Sequence, residues 1–190
     1  MNRREALNRV ALLVGGSVIG ADFFLSGCKS GSSVDTEDLF NQQTQAFLNE
    51  VADTILPRTQ TPGAKDANVG NFMAVMVRDC YADDDQKVFK KGIKQLEDAC
   101  DKKFKVGFME ATVEQRTQLL TDLDKEQAAY SKTKEKEAPN HYFTMVKQLT
   151  LLGYFTSEIG CTKAQRYLPV PGKYDGNYPY KKGDKAWALA

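Results

Sequence analysis

The chain has 190 residues, 26 Lys and Arg against 25 Asp and Glu, and so has the length of one domain and almost no net charge. That balance gives no electrostatic basis for binding nucleic acid, which would need a basic stripe. Its four cysteines lack the spacing of a zinc or haem-attachment site, and no glycine-rich phosphate loop or dinucleotide fingerprint occurs.

The N-terminus carries the three parts of a secretory leader. Arg3, Arg4 and Arg9 make a positive start, Val10 to Ala21 is a twelve-residue apolar run, and Leu25-Ser26-Gly27-Cys28 closes it with small residues. The run falls short of the roughly 20 residues that span a bilayer, and Asp22 blocks its extension. Leu25 to Cys28 resembles the lipobox of bacterial lipoproteins, which implies lipidation of Cys28 and removal of residues 1–27 as a signal peptide. An unprocessed N-terminal anchor is the competing reading. Asn2-Arg3-Arg4-Glu5-Ala6-Leu7-Asn8 resembles the twin-arginine export consensus, agreeing at Arg3, Arg4 and Leu7; otherwise the arginines merely orient an ordinary leader. Residues 28–35 read as a lipidated Gly/Ser tether, and two or three acyl chains suffice for stable attachment. The expected location is the cell envelope, on a membrane and facing the periplasm, for a mature chain with 23 basic and 23 acidic residues.

Residues 36–160 show helical periodicity and no alternating strand pattern, which predicts an all-α single domain of about five helices. The first should open at Asp35 or Thr36, followed by the acids Glu37 and Asp38. It should bury Phe40, Phe47, Leu48, Val51 and Ile55 and stop at Pro57, where a turn-rich loop runs to Asn68. A second helix spans 69–81 through Phe72, Met73, Met76, Val77 and Cys80. Asp83, Asp84 and Asp85 cap a third, with Val88, Phe89, Ile93, Leu96 and Cys100 on one face. Thr112 to Gln115 is a capping box opening a fourth, which carries Leu119, Leu120, Leu123 and Tyr130. The charged stretch 131–137 is an exposed loop or a frayed helix end. The fifth helix has Pro139 near its first turn and continues through Tyr142 to Ile159, with Gly160 as its cap. Its apolar residues cover more than one face, so it should be the central helix. In residues 161–190, Pro169, Pro171, Gly172, Gly176, Pro179 and Gly183 exclude a regular helix. Five aromatic residues (Tyr167, Tyr174, Tyr178, Tyr180, Trp187) argue against disorder, so this irregular arm should wrap the helices or lie on a partner.

Chemistry is scarce. With Cys28 lipidated, Cys80, Cys100 and Cys161 either form one disulfide and leave an odd thiol, or are buried free thiols. His141 is the sole histidine, and without an accompanying nucleophile or fixed carboxylate it reads as structural. Asp83 to Asp85 lack the spacing of a calcium loop. Met73, Met76, Met109 and Met145 read as core fillers. No catalytic, cofactor-binding or metal-ligating residue emerges.

Two separated segments carry a resemblance. One is Ala52-Asp-Thr-Ile-Leu-Pro-Arg-Thr-Gln-Thr-Pro-Gly-Ala64, within Phe47 to Phe72. The other is Gly153-Tyr-Phe-Thr-Ser-Glu158, within Leu149 to Gly160 and continued by Tyr167 to Gly176. Together they resemble the gluconate 2-dehydrogenase subunit 3 family, with Gln60 where an Asp is common. The resemblance implies a non-catalytic small subunit with no cofactor of its own. Its partner would be a large FAD-binding flavoprotein of the glucose-methanol-choline type that oxidises gluconate, a sugar or a polyol. A cytochrome c subunit carrying haem would accept electrons in some assemblies. It also implies an export escort, in which a leaderless large subunit crosses the membrane folded, on the small subunit's twin-arginine signal. Pro57, Arg58 and Pro62 in the loop, and Tyr154, Tyr167, Tyr174 and Trp187 beyond it, are candidate contact residues, because rigid loops and exposed aromatics suit interfaces. Packing within the chain competes with that reading. Thr156-Ser157-Glu158 either faces a partner or caps the helix end. The alternative to the subunit is a free-standing envelope lipoprotein that binds a ligand or serves as a scaffold.

Overall fold

Asn41 starts the first helix: its side chain accepts a hydrogen bond from Gln43 N at 2.8 Å, and α1 runs Gln42–Ile55. The computed structural model describes residues 38–170 and 172–188. The leader and tether, with Arg3, Arg4, Leu7 and Cys28, and the expected caps Asp35 and Thr36 all lie outside the described residues. Because α1 opens at Gln42, Phe40 precedes it and is not on its buried face. The Phe40 ring instead sits under the Arg78 guanidinium, 4.5 Å away, and Leu39 is the residue buried there.

Helix α2 (Val69–Cys80) leaves Asn68, which adopts the left-handed conformation at φ 51°. Helix α3 (Asp83–Phe104) is preceded by Ala82, so Asp83, Asp84 and Asp85 form its first turn and do not cap it. No side-chain cap bond is made, and the three acids complement the positive end of the helix dipole. Helix α4 (Val113–Thr133) has the expected capping box: Thr112 Oγ1 accepts from Gln115 N at 3.3 Å, and Gln115 Oε1 accepts from Thr112 N at 2.9 Å. Helix α5 (Tyr142–Phe155) begins after His141, whose Nδ1 accepts from Phe143 N at 3.2 Å. His141 is thus an N-cap, and Pro139 lies before the helix, outside its first turn.

Helix α5 ends at Phe155, short of Ile159, and Thr156 is its C-cap. Ser157 Oγ donates to Tyr154 O at 2.7 Å and accepts from Gly160 N at 3.0 Å, turning the chain into one π-helical turn, Gly160–Ala164. A side chain at Gly160 would bring its Cβ to 1.9 Å from Tyr154 O, so this close approach needs glycine. Thr156 and Ser157 therefore work at the helix end, while Glu158 faces solvent.

Five α-helices and the π turn, with no strand, make the all-α domain among the described residues. Helix α5 packs against each of the other four α-helices. Its Phe143, Met145, Val146 and Leu149 are buried among Phe47 and Val51, Met73 and Val77, Phe89 and Ile93, and Leu119 and Leu120. Each such side chain contributes about 1.5–3 kcal/mol of burial. The central position expected for this helix is borne out. No described helix is long and apolar enough to cross a membrane.

Burial of the sulfur side chains is corrected at three positions, Met109, Cys80 and Cys161. Met109 is exposed, and the described cysteines are all free thiols. Of these, Cys80 is exposed, Cys161 half-buried and Cys100 alone buried.

Two carboxylates organise the polar framework. Glu50 on α1 pairs with Lys65 at 2.6 Å and with Arg116 of α4. The guanidinium of Arg116 also donates to Phe108 O at 2.8 Å and Met109 O at 2.7 Å, tying down the α3–α4 connection. Burial weighs most against the Glu50 charge, yet Lys65 and Arg116 together hold its carboxyl below the usual range. Glu97 accepts from Phe108 N at 3.1 Å. Burial first, and then the charges of Asp98, Glu110 and Asp101, push its carboxyl up. A carboxyl raised by folding contributes stability that is full below its unfolded pKa of about 4.3 and lost as pH rises through the folded value. Glu97→Gln keeps an acceptor for Phe108 N and removes the half-buried charge. Denaturant unfolding should therefore show E97Q more stable than the native chain at pH 7, with the gain gone at pH 4.

Candidate partner-docking surface

The loop after α1 is braced from inside. Leu56 O accepts from Ala64 N at 2.9 Å, Asp53 Oδ1 accepts from Lys65 N at 3.2 Å, and Asp66 Oδ2 accepts from Gly63 N at 2.8 Å. Arg58 pairs with the other oxygen of Asp66. The Gly63 amide, and after it Arg58, hold the Asp66 carboxyl below its ordinary range. A Cβ on Gly63 would lie 2.3 Å from Asp53 Oδ1 and 2.7 Å from Arg58 N, so only glycine fits that crossing. Tyr154 of α5 reaches over and donates its hydroxyl to Pro62 O at 2.6 Å. At the far end, Asn49 Oδ1 accepts from Gly70 N at 2.8 Å and fixes the start of α2. The Ala52–Ala64 box is therefore a built corner of the fold. Among its residues proposed for contact, Pro57 and Arg58 are exposed and Pro62 is half-buried. Tyr154 is 4% exposed, which corrects its assignment as a contact residue: its ring faces inward and works as a strut.

The neighbouring side chains on α5 point the other way. Leu151, Leu152 and Phe155 are 39%, 46% and 38% exposed, although this is the most deeply packed helix. From Phe155 the surface continues into a groove of about 380 Å³ lined by Thr156, Glu158, Cys161, Thr162, Tyr167 and Ala188, with the one carboxylate, Glu158, at its α5 end. An adjoining groove of about 540 Å³ shares Thr162 and Tyr167 and is lined further by Gln165, Arg166, Lys185 and Trp187.

The arm closes on its own root. Arg166 N donates to Ala186 O and Ala188 N to Arg166 O, both at 2.8 Å, forming a parallel bridge between Arg166 and Trp187. The guanidinium of Arg166 lies 4.4 Å from the Trp187 ring and 5.5 Å from that of Tyr178, and Lys185 Nζ donates to Lys163 O. Beyond this root Tyr167, Tyr174, Tyr178 and Tyr180 are exposed, Tyr174 almost fully at 96%. Of the candidate contact residues in the arm, Tyr167 and Tyr174 are exposed, while Trp187 is half-buried beside Arg166. Leu151, Leu152 and Arg166 were not read from the sequence. The only signal for the leucines was their excess on a helix already apolar all round.

A further groove of about 430 Å³ lies beside His141, lined by Lys91, Glu126 and Tyr130. The Nδ1 of His141 is engaged by the α5 cap, and Nε2 is 3.7 Å from Glu126 Oε1. Among the described residues, no group of three His, Cys, Asp or Glu side chains converges to hold a metal ion.

The strut can be tested directly. Tyr154→Phe leaves the Pro62 carbonyl without its donor and should cost about 1–2 kcal/mol in denaturant unfolding, with faster amide exchange at Ala64. An unchanged exchange rate would mean that the loop stands without the strut.

No curated protein matches the chain, and no solved structure does. A family model does match: residues 42–172 fit that of gluconate 2-dehydrogenase subunit 3. This interval holds α1 to α5, the braced loop and the first part of the arm, so the resemblance carried by two short segments extends over the helical domain. The chain belongs to the gluconate 2-dehydrogenase subunit 3 family.

Proposed function

We propose that this chain is the non-catalytic small subunit of an FAD-dependent dehydrogenase of the glucose-methanol-choline type, held at a membrane, and that it escorts the large subunit through export. Family membership over residues 42–172 carries the reading, since the family is named for a subunit of a gluconate 2-dehydrogenase. The apolar outer face of α5 supports it, because side chains such as Leu152 and Phe155 gain by being covered. In this reading the FAD sits on the large subunit, which also selects gluconate, a sugar or a polyol. A cytochrome c subunit with haem would take the electrons onward. The small subunit supplies a rigid, internally braced surface and the means of export. Cys28 carries the lipid that holds the assembly on the periplasmic side of the envelope. Arg3 and Arg4 direct it to a pathway that carries folded cargo.

The test is co-purification of the full chain from membranes. The expected result is an equimolar chain with the absorbance of bound flavin. Changing Arg3 and Arg4 together to Lys should leave both chains in the cytoplasm, and Cys28→Ser should release the complex from the membrane or leave the precursor unprocessed. A chain recovered as a monomer without flavin would contradict the subunit reading. Normal export of the Lys pair variant would contradict the escort role.

A further inference from the structure

Charge is divided unevenly along the chain. Residues 161–190 hold six basic side chains against Asp175 and Asp184, whereas residues 29–160 hold 17 basic and 21 acidic ones. The arm thus carries an excess of four positive charges and the rest of the mature chain an excess of four negative ones. Within the arm, Arg166 is held between Trp187 and Tyr178, and no carboxylate pairs with it among the described residues. Its Nε is buried without a hydrogen-bond partner, as is the neighbouring Gln165 Oε1. A guanidinium fixed by two rings has already lost the side-chain freedom that binding a carboxylate would otherwise cost. Beside it lies the groove that begins at the exposed ring of Phe155 and passes Tyr167.

We propose that the face formed by the outer side of α5 and the arm receives a protein segment of the large subunit in which an apolar side chain stands next to Asp or Glu. The inference rests on the subunit reading above and gives it a surface and a chemistry. The apolar side chain fills the groove between Phe155 and Tyr167, and the carboxylate meets Arg166 from the adjoining groove. Lys181 and Lys182, both exposed, add longer-range attraction for the acidic surface around that segment. Grooves favour a protein over a lipid surface, because they accept projecting side chains and a membrane presents none. The Pro57–Pro62 loop is not counted in this face, because Arg58 pairs with Asp66 and the Pro62 carbonyl is taken by Tyr154.

The test uses the full chain in its own cells, with a photo-crosslinking residue at Tyr167 or, as control, at Val113, an exposed position on α4. The expected result is a crosslink to the flavin-containing chain from position 167 and none from 113. Arg166→Glu should lower the co-purified flavoprotein at least tenfold and Arg166→Lys less, while raised salt should weaken the native complex. Because Arg166 also closes the arm, the exposed double variant Lys181→Glu with Lys182→Glu provides a reversal of charge away from the arm's root. It should lower recovery several-fold with unchanged thermal unfolding. Crosslinking to the flavoprotein from 113 and not 167 would overturn the face while leaving the subunit reading intact. Native recovery in both charge-reversal variants would overturn the acidic partner. Crosslinking from 167 only to phospholipid, or to a second copy, would also overturn the proposal. If the native chain recovers no flavoprotein, the subunit reading fails and this inference with it.

Discussion

The hydrogen bond from Tyr154 to the carbonyl of Pro62 closes a contact across 92 residues of sequence, and the corner of the fold that surrounds it is built to keep it. Tyr154 sits near the end of the helix that touches all the others, so whatever fixes its ring also fixes the loop after α1. One residue earlier, Gly153 leaves room for Phe72 of α2, whose ring carbon would be 2.6 Å from a Cβ there. The loop answers with its own bonds: Asp53 and Leu56 on the α1 side, and Asp66 with Arg58 across the turn. The two motif segments that look unrelated along the chain are thus one structural unit.

That unit changes where function is sought. Motif residues that look suited to contact, Tyr154 above all, are occupied in holding the chain together. The exposed apolar side chains include one inside the motif itself and others just before it. Phe155 follows the strut directly and faces solvent, and Leu151 and Leu152 extend the same face. A helix this deeply packed would gain from burying them too, at about 25 cal/mol per Å². Their exposure is understandable if the surface is completed by another chain. The arm points to the same side, since Tyr167 lines the groove that Phe155 begins.

Much of the helical architecture is legible from periodicity and capping chemistry. The capping box at Thr112 and Gln115, the stop before Pro57 and the central rank of α5 follow from short-range rules that the tertiary structure leaves undisturbed. The misreadings have physical causes. Asp35 and Thr36 have the chemistry of a helix start, but so has Asn41, and composition alone does not rank them. The continuation of α5 to Ile159 fits the apolar pattern, but Ser157 and Gly160 divert the backbone into a π turn. A helix that is apolar all round conceals which side faces out, so the inward Tyr154 and the outward Leu152 could not be told apart. Glu50 and Arg116, 66 residues apart, and Glu97 beneath Phe108 N carry no sequence signature, because their partners are brought together only by folding.

The account therefore separates the braced loop and its Tyr154 strut, which build the fold, from the outer face of α5 and the arm, which is proposed to meet the partner. Amide hydrogen exchange of the chain, alone and in complex with the proposed flavoprotein partner, tests that separation most directly. The account predicts added protection over the end of α5, the π turn and the arm around Tyr178, with the Pro57–Pro62 loop unchanged. Protection concentrated on the loop, with the arm exchanging as it does in the free chain, would contradict it.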